Sequence, residues 1–326
     1  MFSYTGGDKR SCSATGTAVV TPLDTPFYRC KRIEVGLLRL DLLHPLISGN
    51  KWFKLLPLMQ RLQAGERPRI ISFGGVWSNH LHALAYVGKK FGIETLGMVR
   101  GHASQPKTEM LLDAQGWGMR LVYLDRERYR MKESREFLLE LARDYPGWEL
   151  LPEGGSSADA VLGCREIWRS LADTDWSEPD FLACAVGTGG TLAGLVAGKP
   201  SGTRVLGVPV LGLEEGERRV QDLLARARIA DPGGWSLDHQ GAFGGYGKLP
   251  PELAAVLVDF ERGAEVALDP VYTLKLLAAV NRNIVRGGIP PGSRVLLLHS
   301  GGLQGRRGMA GRIASGASAF VGPLLV

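Results

Sequence analysis

The chain has 326 residues and a net charge of +6, and 44 of its residues are glycine, about 13% against a background near 7%. A hydrophobic share of 44% excludes a disordered chain, the glycines keep no collagen-like triplet period, and no apolar run approaches the ~18 residues of a membrane span. Charge is spread and mixed in sign, as in Asp125-Arg-Glu-Arg-Tyr-Arg130, which argues against a nucleic-acid or membrane partner and for a small anionic ligand.

Residues 1–17 are polar and rich in Gly and Ser, without the apolar region of a secretory leader, so a cytoplasmic protein is expected. Ser48-Gly-Asn50 is a turn, and Lys51 and Lys54 follow at i and i+3 on one side of a helix. Arg69-Ile-Ile-Ser-Phe73 predicts a strand ending at Gly74-Gly75. Ser78 then caps a helix whose Leu81, Leu84, Ala85 and Gly88 share a face. A strand over 94–99, a helix over 106–115 opened by Pro106, a strand over 120–124 and a charged helix up to Tyr145-Pro146 come next. A helix from Ser157 to Ala172 precedes the strand Phe181–Val186 and a Gly-rich turn into a helix. Strands over 204–208 and 294–299 complete the series, the latter running into Gly301-Gly302. Strand, crossover helix, strand, repeated, predicts parallel sheets flanked by helices, in two α/β units that divide near residues 150–160. The segment from Leu303 onward has weak periodicity and no assigned element.

Many glycines stand at the carboxyl ends of predicted strands, where parallel sheets bind ligands. Gly187, Thr188, Gly189, Gly190 and Thr191 run from a strand into a helix, so free amides and the helix dipole converge on an anion, most often phosphate. The segment is neither a Walker loop nor a dinucleotide fingerprint, which places a nicotinamide dehydrogenase last among the readings. Cys12, Cys30, Cys164 and Cys184 have no metal-like spacing, and Cys184 lies in an apolar run as a buried thiol. His80 and His82 point to different faces of a helix, so no metal is expected.

In order along the chain, Ser48-Gly-Asn-Lys-Trp-Phe-Lys-Leu55, Phe73-Gly-Gly-Val-Trp-Ser-Asn-His80, Pro152-Glu-Gly-Gly-Ser156, Gly187-Thr-Gly-Gly-Thr191, Gly244-Gly-Tyr-Gly-Lys248, Leu268-Asp-Pro-Val-Tyr-Thr273 and His299-Ser-Gly-Gly302 resemble the 1-aminocyclopropane-1-carboxylate deaminase/D-cysteine desulfhydrase family. The resemblance spans roughly residues 30 to 305. It implies an enzyme that uses pyridoxal 5'-phosphate, with the two-domain fold of the tryptophan synthase β-subunit (fold type II). The cofactor is then expected in the cleft between a larger domain, 1–53 with 155–326, and a smaller α/β domain, 54–154.

By resemblance, Lys51 holds the cofactor as a Schiff base and afterwards carries a proton. Lys54 helps hold the phosphate in the Gly187–Thr191 cradle, and Asn79 contacts the pyridine 3-oxygen. Ser78, Asn79 and His80 receive the substrate carboxylate, Ser78 also assisting proton transfer, while Tyr246 and Tyr272 are active-site tyrosines. Thr273 stands where the cyclopropane deaminases have Glu, so Thr273 or Ser300 would offer the pyridine nitrogen a hydroxyl in place of a carboxylate. This turns the expectation toward a desulfhydrase-like α,β-elimination on a small amino acid, giving a 2-oxo acid and ammonia. Cyclopropane ring-opening and a non-catalytic cofactor-binding protein are the alternatives. Trp77 replaces a glutamine and Leu274 a glycine, both expected beside the substrate pocket. A homodimer is also implied.

Overall fold

A computed structural model describes residues 18–212 and 215–316. Among the described residues, ten strands form two sheets. Six of them, β1 (Val20–Pro22), β2 (Glu34–Arg39), β7 (Phe181–Val186), β8 (Arg204–Pro209), β9 (Trp235–Leu237) and β10 (Arg294–His299), lie in the order β1-β2-β10-β7-β8-β9. Only β1 is antiparallel to its neighbour. The remaining four, β3 (Arg69–Gly75), β4 (Thr95–Arg100), β5 (Arg120–Leu124) and β6 (Trp148–Leu151), form a parallel sheet in the order β5-β4-β3-β6.

Helices connect the strands. Residues up to 171 contribute α1 (Pro26–Lys31), α2 (Asn50–Gln63), α3 (Asn79–Phe91), α4 (Glu109–Gly116), α5 (Arg126–Arg130), α6 (Arg135–Asp144), α7 (Ala158–Arg165) and α8 (Ile167–Leu171). Then follow α9 (Gly190–Gly198), α10 (Gly216–Arg226), α11 (Pro251–Ala264), α12 (Thr273–Val285) and α13 (Ala310–Gly316). Among the described residues no helix is long and apolar enough to cross a membrane.

The central strands are apolar throughout because both faces are covered. In β10, Leu296 and Leu298 enter one core with α2, α7 and α9, while Val295 and Leu297 enter a second with α1, α11 and α12. In β7, Leu182, Cys184 and Val186 face the first core and Ala183 and Ala185 the second, as the two-residue pleat requires. A third, smaller core lies on the four-stranded sheet around Ile71, Phe73, Met98, Phe137 and Leu141.

The strands at 120–124, 181–186 and 294–299 stand where the sequence predicts them, and Ser78 and Ser157 cap their helices through Oγ. Some local expectations fail. The fourth helix starts at Glu109, not Pro106, because Thr108 Oγ1 accepts from Leu111 N and also donates to Val76 O. The charged stretch after β5 is two helices, since Ser134 caps a new one. The 157–172 stretch likewise divides at Glu166. Residues 303–309, unassigned from sequence, form a 3-10 stretch leading into α13.

Candidate active site

Both sheets turn their carboxyl ends to one cavity of about 680 Å³. Its floor comes from the junction of α2 with β10. Gly49, just before α2, has φ 65° and ψ −137°, and a Cβ there would lie 1.8 Å from Ser300 O. Only glycine fits that approach. It lets Asn50 N donate to Ser300 O at 3.2 Å and aims the first turn of α2 into the cavity.

That turn presents two lysines. Lys51 is half-buried, and its Nζ donates to Asn50 Oδ1 at 2.8 Å, whose amide in turn donates to Thr191 Oγ1 at 2.8 Å. Burial and the neighbouring Lys54 charge push the Lys51 amine down to about 7. Lys54 is deeply buried, and its Nζ donates to Gly154 O at 2.8 Å and Ser156 Oγ at 3.1 Å. Burial lowers its pKa as well.

Opposite the lysines, β7 passes into α9 through the Gly187–Thr191 segment. Gly189 is the N-cap residue at φ 88°, with no side chain closing the helix end, so the first-turn amides of α9 are left for a ligand. Gly187, Thr188, Gly189 and Thr191 line the cavity; Gly190 sits behind them, where a Cβ would meet Ser156 Oγ at 2.7 Å. Thr188 Oγ1 and Ser156 Oγ share a 2.5 Å hydrogen bond, which ties the segment to the Lys54 partners. An uncapped helix N-terminus, two threonine hydroxyls and a buried ammonium are donors suited to a phosphate.

The start of α3 supplies Ser78, Asn79 and His80 to the same cavity. Ser78 Oγ is engaged as a cap, accepting from Leu81 N at 3.2 Å, and Asn79 Oδ1 accepts from Gln304 Nε2 at 2.6 Å. His80 is buried, with Nε2 3.0 Å from Ser72 Oγ and with Nδ1 lacking a hydrogen-bond partner among the described residues. Burial and the two lysine charges hold its pKa well below the ordinary histidine value, so the ring is neutral at pH 7.

Tyr246 and Tyr272 form the far wall, ring centroids 6.3 Å apart and edge to face. Burial raises both phenols. The neighbouring Tyr246 disfavours ionisation of Tyr272 further, so both phenols stay protonated at neutral pH. Ser300 closes the cavity at the end of β10.

Three expected residues stand elsewhere. Thr273 does not line the cavity; it is buried, and its N and Oγ1 both donate to Asp269 Oδ2, at 2.8 and 3.2 Å. Leu274 is wholly buried in the core beneath the six-stranded sheet. Trp77 also lies off the cavity, packed so closely on Gly308 that a Cβ there would meet its ring at 2.5 Å. Of the candidate hydroxyls for a pyridine nitrogen, Ser300 alone faces the cavity.

Other contributors were not expected from the sequence to have a site role. Asp269 caps α12, also accepting from Val271 N and Tyr272 N at 3.0 Å each, and thereby fixes Tyr272. His299 Nε2 donates to Ala267 O at 2.8 Å, and its Nδ1 accepts from Gly301 N at 3.2 Å, a pattern that requires the neutral ring. Lys275, fully buried, donates from Nζ to Ala242 O at 2.8 Å and Gly245 O at 2.6 Å, next to Tyr246. Asp269 and His299 lie inside the Leu268–Thr273 and His299–Gly302 motifs, whereas Lys275 and Gln304 have no local pattern to mark them.

Over residues 21–301 the chain matches the family described as pyridoxal-phosphate dependent enzyme, and it belongs to that family. It is 28% identical over 306 residues to a Pyrococcus abyssi protein provisionally called 1-aminocyclopropane-1-carboxylate deaminase, covering 87% of this chain and 91% of that one. It is 24% identical over 306 residues to a D-cysteine desulfhydrase of Yersinia enterocolitica, covering 85% and 91%. The crystal structure of a 1-aminocyclopropane-1-carboxylate (ACC) deaminase homologue superimposes with a TM-score of 0.79 at 27% identity, over 92% of this chain and 94% of that one.

Proposed function

We propose that the protein is a lyase that removes ammonia from a small amino acid by α,β-elimination, leaving a 2-oxo acid, in the manner of a D-cysteine desulfhydrase. The observation that carries this reading is that Lys51, with its amine pushed down to about 7, opens into the same cavity as the phosphate-type cradle and the Ser78–His80 segment.

The donor set fits pyridoxal 5'-phosphate: Lys54 and the start of α9 would hold its phosphate, Lys51 its aldehyde carbon and Asn79 the ring oxygen. When bound, the cofactor supplies an electron sink for the charge left behind when the α-proton departs. The rest belongs to the chain. Ser78 and the start of α3 would orient the substrate carboxylate, where the helix dipole favours an anion. Lys51 Nζ, brought down to about 7, would take the α-proton. Tyr272 Oη, kept protonated by burial, would pass a proton to the departing group.

Elimination is favoured over cyclopropane ring-opening because the hydroxyl of Ser300, not a carboxylate, faces the cavity at the end of β10. Glu153, the one carboxylate among the described lining residues, is bound to Tyr129 and Lys132. A two-domain division at 54–154, a homodimer and a cytoplasmic location belong to the same reading, on the strength of the family resemblance.

The test is an assay of the holoenzyme on both enantiomers of cysteine and serine and on the cyclopropane substrate. Keto acid and ammonia from a β-substituted amino acid are expected, with borohydride fixing the cofactor to Lys51. Cofactor binding without turnover of any amino acid would leave a binding protein, and turnover unchanged in Lys51→Ala would refute the proposal.

A further inference from the structure

The cavity has an outer wall that the proposed chemistry does not use. It is built where the four-stranded sheet ends: Arg100 closes β4, Arg130 closes α5 and Lys132 follows. The Arg100 guanidinium stands over the Tyr129 ring at 5.8 Å, with Lys132 Nζ over the same ring at 5.1 Å. Arg100 Nη2 lies 3.8 Å from where a Cβ on Gly75 would stand, beside the segment that leads to Ser78. Across the cavity, burial raises the Tyr246 phenol, and the Arg100 charge offsets a small part of that rise.

The charge on this wall is unbalanced. Glu153 Oε1 accepts from Tyr129 Oη at 2.6 Å, and Oε2 pairs with Lys132 Nζ at 3.2 Å, so that carboxylate is fully engaged. Among the described residues no carboxylate lies within ion-pairing distance of Arg100 or Arg130. A substrate α-carboxylate is provided for at the start of α3, and the cofactor phosphate at the start of α9 with Lys54 and the nearby Arg219, whose Cγ is 3.9 Å from a Cβ placed on Gly189. Two guanidiniums thus remain for a third anion, and guanidinium is the group best shaped to grip one through two parallel N–H bonds.

We infer that the substrate carries a second anionic group on its side chain, a carboxylate, sulfate ester or phosphate ester, received by Arg100 and Arg130 at the outer end of the cavity. The inference rests on the elimination reading for its reaction. For a serine phosphate ester, the Cα–H bond breaks and its electron pair forms the Cα=Cβ bond. The Cβ–O bond breaks with its pair leaving on phosphate, and the released aminoacrylate takes up one water to give pyruvate and ammonia.

The test uses the holoenzyme with O-phosphoserine, O-sulfoserine and O-acetylserine, both enantiomers of each. Dissociation constants come from calorimetry, and kcat/KM from keto-acid release. The anionic esters are expected to bind at least tenfold more tightly than O-acetylserine at low ionic strength, with the advantage shrinking in 0.5 M salt, a concentration at which exposed charges are largely screened. Arg100→Gln and Arg130→Gln should each cut the anionic-to-neutral ratio at least fivefold, with partial recovery in Arg100→Lys. Equal binding of neutral and anionic esters would overturn the inference. So would a loss in Arg100→Gln that is the same for both, since Arg100 would then serve the α-carboxylate. Anion-selective binding with no keto acid from any ester would uphold this inference while refuting the elimination reading, so the two failures are separable.

Discussion

Lys275 Nζ donates to Gly245 O at 2.6 Å across thirty residues of chain, and the residue after Gly245 is Tyr246. The same ammonium holds Ala242 O, and Lys275 stands one helical turn beyond Tyr272. One side chain therefore fixes the loop that carries the first tyrosine to the helix that starts beside the second. Lys275→Met leaves two carbonyls without a donor, a loss of about 1–3 kcal/mol each, offset by removing a buried charge. Net stability should change little, while kcat/KM falls about tenfold and amide exchange at 243–247 accelerates. Unchanged exchange there would show that the lysine does not hold the loop.

The same residue sets a pH dependence. Burial lowers Lys275 from 10.5 to about 8. Between those values the unfolded chain binds a proton that the folded protein has released, so stability rises with pH across the window. Urea denaturation from pH 7.5 to 10.5 should show this gain in the parent and a smaller one in Lys275→Met.

Cofactor capture should follow Lys51. Only the free amine attacks an aldehyde, and this amine is brought down to about 7. The rate at which apoprotein incorporates pyridoxal 5'-phosphate should rise through a midpoint near pH 7 and level off, as followed by stopped-flow absorbance. A midpoint near 10 would mean that Lys51 is solvated like an ordinary lysine.

Lys54→Gln should weaken cofactor affinity by about 1.5–3 kcal/mol, the range for a hydrogen bond to a charged group, which is roughly 10- to 150-fold in Kd. Equilibrium dialysis would measure it. An unchanged Kd would move the phosphate away from the Gly187–Thr191 cradle.

Trp77 is a packing residue against Gly308, and its replacement should act on stability. Trp77→Gln is expected to destabilise the 303–309 segment by about 1–3 kcal/mol with the ranking of amino-acid substrates preserved. A changed ranking would return Trp77 to the pocket. Calorimetric melting and the substrate panel together decide the matter.

What could be read from the sequence was what local rules govern. The strands at 181–186 and 294–299 are continuous apolar runs bounded by polar residues and glycine, and Gly187–Thr191 is a turn whose composition states its use. β2 escaped because Glu34 and Gly36 interrupt its pattern; its place between β1 and β10 follows from its register with β10, Arg294 opposite Glu34 and His299 opposite Arg39. Pro106 misled because Thr108, two residues on, has the better cap geometry. In the site, Lys51 and Ser78 stood in recognisable motifs. Lys275, Asp269 and Arg100 take their roles from groups brought to them by the fold, and Thr273 was drawn away from the cavity by Asp269.

Lys54 Nζ also joins two places a hundred residues apart in the chain, α2 and Gly154. These are the points at which the backbone leaves the six-stranded sheet for the four-stranded one and comes back. Two crossings fastened at one ammonium tie the joint between the sheets to the phosphate cradle, so a change at Lys54 would reach both at once. Arg100, at the carboxyl end of β4, and Arg130, at the end of α5, face the same cavity as that ammonium.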